Sequence, residues 1–402
     1  MERRNFIKST LSGFSLLSPK ILLLKTQDTY STEIPKASPE RKRARELGIR
    51  IGDQDPGPYN AITDIEGIRV GHTTIIHGKG KGAVRTGVTV ILPNNGQISE
   101  ENLFASSFNL NGWGEMTGIA ALEKTGRLKT PIFLTGTYNV GIVYDAAVDY
   151  LTQSIRGLEN NEDIGQPVVA ECFDDFLSAT ETRMISKEDV FQAIKNARSG
   201  PVEEGSVGGG TGMVSFGFKG GIGTSSRRVS IKKNEYAVGV LVMANTASRG
   251  QLRIDGVPVG KEIEGFKYIY GKSKSIILIA ATDAPLLPFQ LKKIAKRVAL
   301  GLAQTGATSN TGSGDIILAF STGNKIPGGL SSSFLEIRAV SDFWITPLYR
   351  ATVEATHEAV INALTSARTI TGRDGNTAFG LPLDQVKKIM KKYQRMGENR
   401  LE

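Results

Sequence analysis

Short apolar runs alternate with helical patterns along the chain from about Gly48 onward. The apolar runs are rich in Val, Ile or Phe and are bounded by Gly, Pro, Asn or Asp, which favours buried strands. Strands are predicted at 87–92, 132–135, 168–172, 213–218, 237–244, 275–282 and 315–320. Helices are predicted at 186–197, around the apolar positions 291, 294, 298 and 302, and at about 349–366. This alternation predicts a mixed α/β body.

Glycine is over-represented, at 46 of the 402 residues, and it clusters without a fixed period. The glycine-dense stretches 203–212 and 220–223 and the polar stretch 255–274 are predicted to be loops. The string 208–212 does not have the spacing of a dinucleotide-binding loop. Gly265 lies one residue too far upstream for a phosphate-binding loop that ends at Ser273. Neither string therefore indicates a nucleotide site.

Composition indicates a folded protein, with 40% hydrophobic and 22% charged residues. The length predicts two or three domains or one large layered unit. Part of the net charge of +9 lies in the segment 1–25. A second basic run at 41–45 is flanked by Glu40 and Glu46, which predicts a solvated face. Nucleic acid is therefore not an expected partner.

The segment 1–25 has the layout of a targeting sequence. The string Arg-Arg-Asn-Phe-Ile-Lys at 3–8 precedes an apolar stretch at 11–24 and resembles a twin-arginine export signal. We therefore expect a periplasmic or other extracytoplasmic location. The alternative is a poorly ordered basic terminus or a weak anchor. Because Pro19 and Lys20 interrupt the run short of the ~20 residues of a spanning helix, no stable membrane anchor is expected.

Several chemistries lack the residues that they need. The lone Cys172 excludes an intramolecular disulfide and a cysteine-based zinc cluster. The three histidines, His72, His77 and His357, are not spaced for a catalytic triad or a zinc site, and structural roles are predicted for them. A serine at a newly made N-terminus remains possible, because its own α-amine can act as the base.

The sequence contains a suitable place for such a serine. A polar loop at 270–274 leads into Ser275 at the start of a buried apolar run. The string 275–288, SIILIAATDAPLLP, resembles the start of the small subunit in the DmpA-type family of L-aminopeptidase/D-Ala-esterase/amidases and β-peptidyl aminopeptidases. The resemblance runs from about Arg45 to Leu383. Further matching strings lie at 57–64, 70–72, 85–89, 114–118, 140–141, 207–213 and 371–375.

This resemblance implies a four-layer αββα sandwich with two central sheets, within the α/β (α+β) class. It implies a chain that cuts itself before Ser275, needs no metal or cofactor, and assembles as a homotetramer of processed heterodimers. Its substrates would be small peptides and amino-acid amides or esters. The implied organisation is an export signal at 1–25, a linker at 26–44 and one hydrolase domain at 45–402, cleaved into 45–274 and 275–402.

Site residues follow from the same resemblance. Ser275 would be the nucleophile and, through its freed amine, the general base, while the amide of Asn245 would face the oxyanion. Ser313 and Asp315 would orient the amine and hydroxyl of Ser275. Glu171 would hold the ammonium group of the substrate, because an aminopeptidase reads a free amine with a carboxylate.

Two positions depart from the family pattern. Lys274 stands before the expected cleavage site, where the family usually has glycine or asparagine, and Phe173 stands where some members have tyrosine. Two alternatives to the hydrolase are a relative that does not process itself and only binds peptides or amino acids, and an acyltransferase on a related fold. Cleavage of the Lys274–Ser275 bond separates the first alternative from the hydrolase.

Overall fold

The computed structural model describes residues 41–397 except 96–97, 99, 155–164, 267–273 and 329–333. Its strands are β1 Arg69–His77, β2 Val84–Leu92, β3 Glu101–Gly112, β4 Arg127–Leu128, β5 Ile132–Gly136, β6 Val168–Cys172, β7 Val214–Ser215, β8 Phe218–Lys219, β9 Gly221–Ile231, β10 Asn234–Asn245, β11 Lys274–Thr282, β12 Ser313–Pro327, β13 Ile370–Thr371 and β14 Thr377–Ala378. Its α-helices are α1 Ile119–Thr125, α2 Val140–Ser154, α3 Lys187–Lys195, α4 Val259–Glu262, α5 Pro288–Gln304, α6 Thr346–Thr365 and α7 Leu383–Lys392.

Two central sheets form the middle of the molecule. One has four strands in the order β1-β2-β5-β6, and the other has six in the order β4-β3-β12-β11-β10-β9. Because side chains alternate between the faces of a strand, the apolar residues of β11 divide between two cores. Ile277 and Ile279 pack between the sheets, against Leu134 and Cys172 of the four-stranded sheet.

Helices cover both outer faces. Ile276 and Leu278 point to the opposite side of β11, into a core that they share with α5 and α6. Helices α2 and α3 cover the four-stranded sheet, where Val88 and Val90 contribute to a third core. The predicted four-layer αββα arrangement is confirmed.

The predicted strand 213–218 is wrong. The structure places the two-residue strands β7 and β8 there as a hairpin. Phe216 and Gly217 have φ of 51° and 68°, and two successive positive φ values turn the chain back on itself. The prediction also omitted β1, β3 and β9 and the helices α1, α2 and α7.

The predicted loop 220–223 is also wrong, because β9 begins at Gly221. A Cβ on Gly221 would lie 1.9 Å from the Gly205 carbonyl oxygen, and one on Gly223 would lie 2.0 Å from the Ala359 carbonyl oxygen of α6. Glycine is needed at these positions for close backbone packing, although the same residues also favour turns.

The predicted linker at 26–44 overlaps the folded body at its end, since residues 41–44 are packed against it. Ala44 is fully buried. The Arg41 guanidinium donates to the carbonyls of Leu381 and Leu364, both at 3.0 Å. Arg43 pairs with the buried Glu204 at 2.6 Å.

Arg45 completes this arrangement by pairing with the buried Glu358 at 2.9 Å. The prediction that the basic run 41–45 forms a solvated face is therefore wrong for these three arginines. Their partners lie in distant parts of the sequence, so local charge patterning could not reveal them.

The proposed export signal at 1–25 lies outside the described residues. No described helix has both the length and the hydropathy of a membrane span.

Candidate active site

Ser275 and Asn245 occupy directly paired positions on the neighbouring antiparallel strands β11 and β10. Such pairing brings the two Cα atoms to within about 5 Å of each other. Ser275 shares the alternation of Ile277 and Ile279, so its side chain lies on the face between the two sheets. Ser275 is 4% exposed and Asn245 is 3% exposed. The central sheet thus fixes both predicted residues side by side.

Hydrogen bonds hold the Asn245 amide at both ends. Its Oδ1 accepts from the Val214 backbone N–H at 2.8 Å, and its Nδ2 donates to the Phe173 carbonyl at 2.9 Å. The N–H of Val214 can only donate and the carbonyl of Phe173 can only accept, so these partners define the orientation of the amide. A primary amide nitrogen carries two N–H groups, and Phe173 takes one of them.

The hydroxyl of Ser275 contacts the other neighbouring strand. Strand β12 runs parallel to β11 and places Gly314 beside Ser275. The Gly314 N–H donates to Ser275 Oγ at 3.1 Å. Ser275 therefore lies between an asparagine amide on one neighbouring strand and a backbone donor on the other.

Ser313 and Asp315 lie on either side of Gly314. The Ser313 hydroxyl donates to the Asp315 carboxylate at 2.6 Å. Burial raises the pKa of Asp315 above its usual range, and hydrogen bonds from the Ser309 and Ser313 hydroxyls oppose that rise. The structure brings this pair to the strand next to Ser275, but the hydrogen bond to Ser275 Oγ comes from Gly314.

Glu171, in β6 of the other sheet, is 5% exposed. Its Oε1 accepts from the Glu115 backbone N–H at 3.0 Å, and its Oε2 accepts from the Thr137 hydroxyl. Burial raises the pKa of Glu171 above its usual range, and the hydrogen bonds from Thr137 and the Glu115 backbone act against this rise. Two donors thus hold the carboxylate in one orientation.

One open pocket with a volume of about 320 Å³ contains both Ser275 and Glu171. Its wall includes three aromatic residues, Trp113, Tyr138 and Phe173. The rings of Tyr138 and Phe173 meet edge to face with centroids 5.5 Å apart. The pocket therefore joins a hydroxyl, a buried carboxylate and an apolar wall.

The histidines do not line this pocket. His72 binds Thr89 Oγ1 at 2.9 Å through Nδ1, and His357 lies buried in α6. Burial lowers the pKa of the His72 imidazole and that of the His357 imidazole to about 4. Burial also raises the pKa of the Cys172 thiol. Within the part of the chain that the structure describes, no three or more His, Cys, Asp or Glu side chains are grouped closely enough to hold a metal ion.

Comparison with known proteins agrees with this geometry. The family model described as peptidase family S58 matches residues 60–378. The chain belongs to peptidase family S58. A β-peptidyl aminopeptidase, BapA of Sphingosinicella xenopeptidilytica, is 42% identical over 370 residues, which cover 87% of this chain and 91% of that protein.

Solved structures of related proteins have the same fold as this S58 peptidase. A Burkholderia sp. β-aminopeptidase has a TM-score of 0.83 and 39% identity, covering 87% of this chain and 99% of the other. The L-aminopeptidase D-Ala-esterase/amidase of Ochrobactrum anthropi, described as a prototype of the serine aminopeptidases and a variant of the Ntn-hydrolase fold, has a TM-score of 0.82 and 36% identity. It covers 88% of this chain and 99% of its own. The S58 peptidase is a serine aminopeptidase with an Ntn-hydrolase fold, as the sequence predicted.

Sequence reasoning missed several residues of the site. Trp113 directly precedes the matching string 114–118, and Thr137 and Tyr138 lie within three residues of the matching string 140–141, so their neighbourhood carried a signal. The backbone N–H groups of Val214 and Gly314 carried none, because a backbone donor does not depend on the residue type.

Proposed function

We propose that Ser275 is the nucleophile of a self-processing aminopeptidase that releases amino-terminal residues from short peptides, amides and esters. One observation supports this most directly: Ser275 and the buried Glu171 line the same pocket, with Asn245 paired to Ser275 on the next strand. A nucleophile, an amide donor and a carboxylate that can bind an ammonium group are three of the parts that aminopeptidase chemistry needs.

Self-processing comes first in this proposal. Ser275 Oγ attacks the carbonyl carbon of Lys274, and the Lys274–Ser275 C–N bond breaks as the nitrogen takes up the proton. Water then hydrolyses the resulting ester, which leaves a carboxylate on Lys274 and a free amine on Ser275. The Lys274 backbone lies in β11, opposite Ser313 of β12, so the scissile bond sits at the start of an ordered strand.

The freed amine then acts as the base. An α-amine has an ordinary pKa of about 7.7 to 8.0, which suits proton transfer near neutral pH. It takes the proton of Ser275 Oγ as the oxygen attacks the substrate carbonyl, and it returns that proton to the leaving amine. The second N–H of Asn245 Nδ2 donates to the oxyanion. Water hydrolyses the acyl-enzyme and regenerates Ser275.

Glu171 and the aromatic wall define the substrate in this proposal. The carboxylate pairs with the ammonium group of the substrate, and the two hydrogen bonds that it accepts hold it in place. The side chain of the first substrate residue packs on Trp113, Tyr138 and Phe173. Ser313 and Asp315 orient the amine of Ser275 from the neighbouring strand.

The relatives named as β-peptidyl aminopeptidases support β-amino acids as the first residue, and the relative named as an L-aminopeptidase supports α-amino acids. A panel of β-alanyl and L-alanyl p-nitroanilides, each with an N-acetylated control, tests this. We expect turnover of the free amines and a loss of at least 100-fold on acetylation, because the acetyl group removes the charge that Glu171 binds. Equal turnover of the acetylated compounds would contradict the aminopeptidase assignment.

We further propose that residues 1–25 direct export to the periplasm or another extracytoplasmic compartment, and that processed chains assemble as a homotetramer. The twin-arginine string at 3–8 supports the first statement. The exposed Phe334, Phe343 and Trp344 supply apolar surface for subunit contacts. Cell fractionation with an Arg3→Lys/Arg4→Lys control tests the export, and light scattering tests the assembly.

A further inference from the structure

Lys219 is a fully buried lysine close to the Asn245 network. It is 0% exposed, and its ammonium group donates to three backbone carbonyls: Gly210 at 2.9 Å, Met213 at 2.9 Å and Gly220 at 2.8 Å. The described residues offer it no carboxylate as an ion-pair partner. Burial lowers the pKa of Lys219 to about 7. Burial of an unpaired lysine costs free energy, so its presence requires an explanation.

Satisfying the Gly210 and Met213 carbonyls does not explain it. The Met213 carbonyl already accepts from the Gly220 N–H at 2.9 Å, and the Gly210 carbonyl already accepts from the Met213 N–H at 3.2 Å. With an apolar side chain at position 219, both carbonyls would keep a partner. What Lys219 adds there is additional N–H donors.

One peptide unit connects this ammonium group to Asn245. The carbonyl of Met213 and the N–H of Val214 are the two ends of the same peptide bond. Lys219 Nζ donates to the carbonyl end, and the N–H end donates to Asn245 Oδ1 at 2.8 Å. Hydrogen bonds in such a chain polarise one another, so a donor at the carbonyl strengthens the N–H as a donor to Asn245.

We infer that Lys219 is a positioning residue for catalysis, which acts through the Met213–Val214 peptide to fix and polarise the Asn245 amide. This inference rests on the proposed function of Asn245 as the oxyanion donor. A more strongly polarised Oδ1 makes the Nδ2 hydrogens better donors to the developing negative charge. Lys219 itself touches neither Ser275 nor the pocket lining.

The test is a double-mutant cycle between Lys219→Met and Asn245→Ala. Activity on a p-nitroanilide is normalised to the amount of processed small fragment, so that slow self-cleavage does not distort kcat. Lys219→Met is expected to lower kcat by about 10- to 100-fold with KM within twofold, since removal of a direct oxyanion donor costs about 100- to 1000-fold. Because Lys219 acts through Asn245, the double variant is expected to match Asn245→Ala within twofold.

A matched control separates positioning from stability. Asn362 is fully buried in α6, donates to the Thr224 carbonyl at 2.9 Å and accepts from the Ala44 N–H at 2.9 Å. Asn362→Leu is expected to lower the melting temperature while kcat stays within twofold of wild type. If Lys219→Met is not recovered folded, Lys219→Gln, which keeps two donors without the charge, replaces it in the same cycle.

The inference is overturned if Lys219→Met leaves kcat within threefold of wild type. It is also overturned if the kcat of the double variant is lowered by the product of the two single-variant losses. It is also overturned if Asn362→Leu loses as much kcat for an equal drop in melting temperature. A wild-type kcat in Asn245→Ala would overturn the oxyanion assignment together with this inference. An impaired Asn245→Ala beside a normal Lys219→Met would overturn the role of Lys219 alone.

Discussion

The Gly314 N–H points at the hydroxyl oxygen of Ser275, at 3.1 Å, from the strand that runs parallel to it. This contact needs a close approach between strand β12 and the segment at Trp113 and Gly114. A Cβ on Gly314 would lie 2.5 Å from the Trp113 carbonyl oxygen and 2.7 Å from the Gly114 Cα. The hydrogen bond to Ser275 therefore depends on glycine at position 314.

Gly314→Ala is predicted to abolish self-cleavage and to lower activity by more than 100-fold, because the new methyl group forces β12 away from Ser275. Gly250→Ala is the matched control, since a Cβ at Gly250 would have no atom within 4 Å and Gly250 does not line the pocket. Both variants are followed by gel densitometry of the small fragment. Normal processing in Gly314→Ala would show that the contact with Ser275 is dispensable.

Asn245→Ala is predicted to lower kcat by about 100- to 1000-fold with little change in KM, as expected for loss of an oxyanion donor. Asn324 provides the control, because it too is buried and binds one backbone N–H and one backbone carbonyl, both of Arg338. It lies eleven positions after Ser313 on β12, roughly 35 Å along an extended strand. Equal kcat losses in Asn245→Ala and Asn324→Ala would point to stability and away from catalysis.

Glu171→Gln is predicted to raise KM by about 10- to 100-fold, the value of a hydrogen bond to a charged group. The carboxylate binds an ammonium group only when it is ionised, and burial raises the pKa of Glu171 above its usual range. In the wild type, KM is therefore expected to rise as the pH falls. The rise should begin at a higher pH than the one at which an ordinary glutamate takes up its proton. In Glu171→Gln, KM should no longer rise over this range of pH. Glu123→Gln, which alters a partly exposed carboxylate paired with Lys292, is the control that should leave KM unchanged.

Arg43→Ala is predicted to destabilise the fold by about 3 kcal/mol at pH 8 and by less at pH 6. Burial raises the pKa of Glu204 to about 7, while Arg43 acts to lower it. The raised pKa means that wild-type stability falls as pH rises from the usual glutamate range to about 7 and then levels off. Without Arg43 the pKa rises further, so the decline continues to higher pH.

Calorimetry at the two pH values measures this difference. Arg41→Ala is the comparison, because the Arg41 guanidinium binds the carbonyls of Leu364 and Leu381. Its loss of stability is expected to be the same at pH 6 and pH 8. A pH-independent loss in Arg43→Ala would show that Glu204 is not the partner that matters.

Much of the fold was accessible from the sequence. The apolar runs at 168–172 and 275–282 are buried strands, and the Ser186 capping pattern begins α3 as predicted. The start of β9 at Gly221 was not accessible in this way, since glycine favours a loop locally, and the backbone that requires glycine there belongs to Gly205 and to Ala359 of α6. Glu204 and Glu358, the partners of Arg43 and Arg45, are also far from them in the sequence and leave no local pattern.

The candidate site was predictable only through the resemblance. Ser275 and Asn245 belong to different strands joined by a long connection, and their direct pairing is a consequence of strand register that no spacing rule states. Lys219 gave no signal, because its importance lies in which carbonyls surround it. The roles of Ser275, Asn245, Ser313, Asp315 and Glu171 stay predictions.

The most direct test is the intact mass of the purified protein beside that of a Ser275→Ala variant. The segment 275–402 makes up about a third of the chain, so processing yields a small fragment with about a third of the 43.3 kDa total mass. We predict that the wild type yields this fragment with Ser275 at its start and that Ser275→Ala stays whole. A wild-type chain that remains uncut after long incubation, or a variant cut at the same bond, would contradict the central claim.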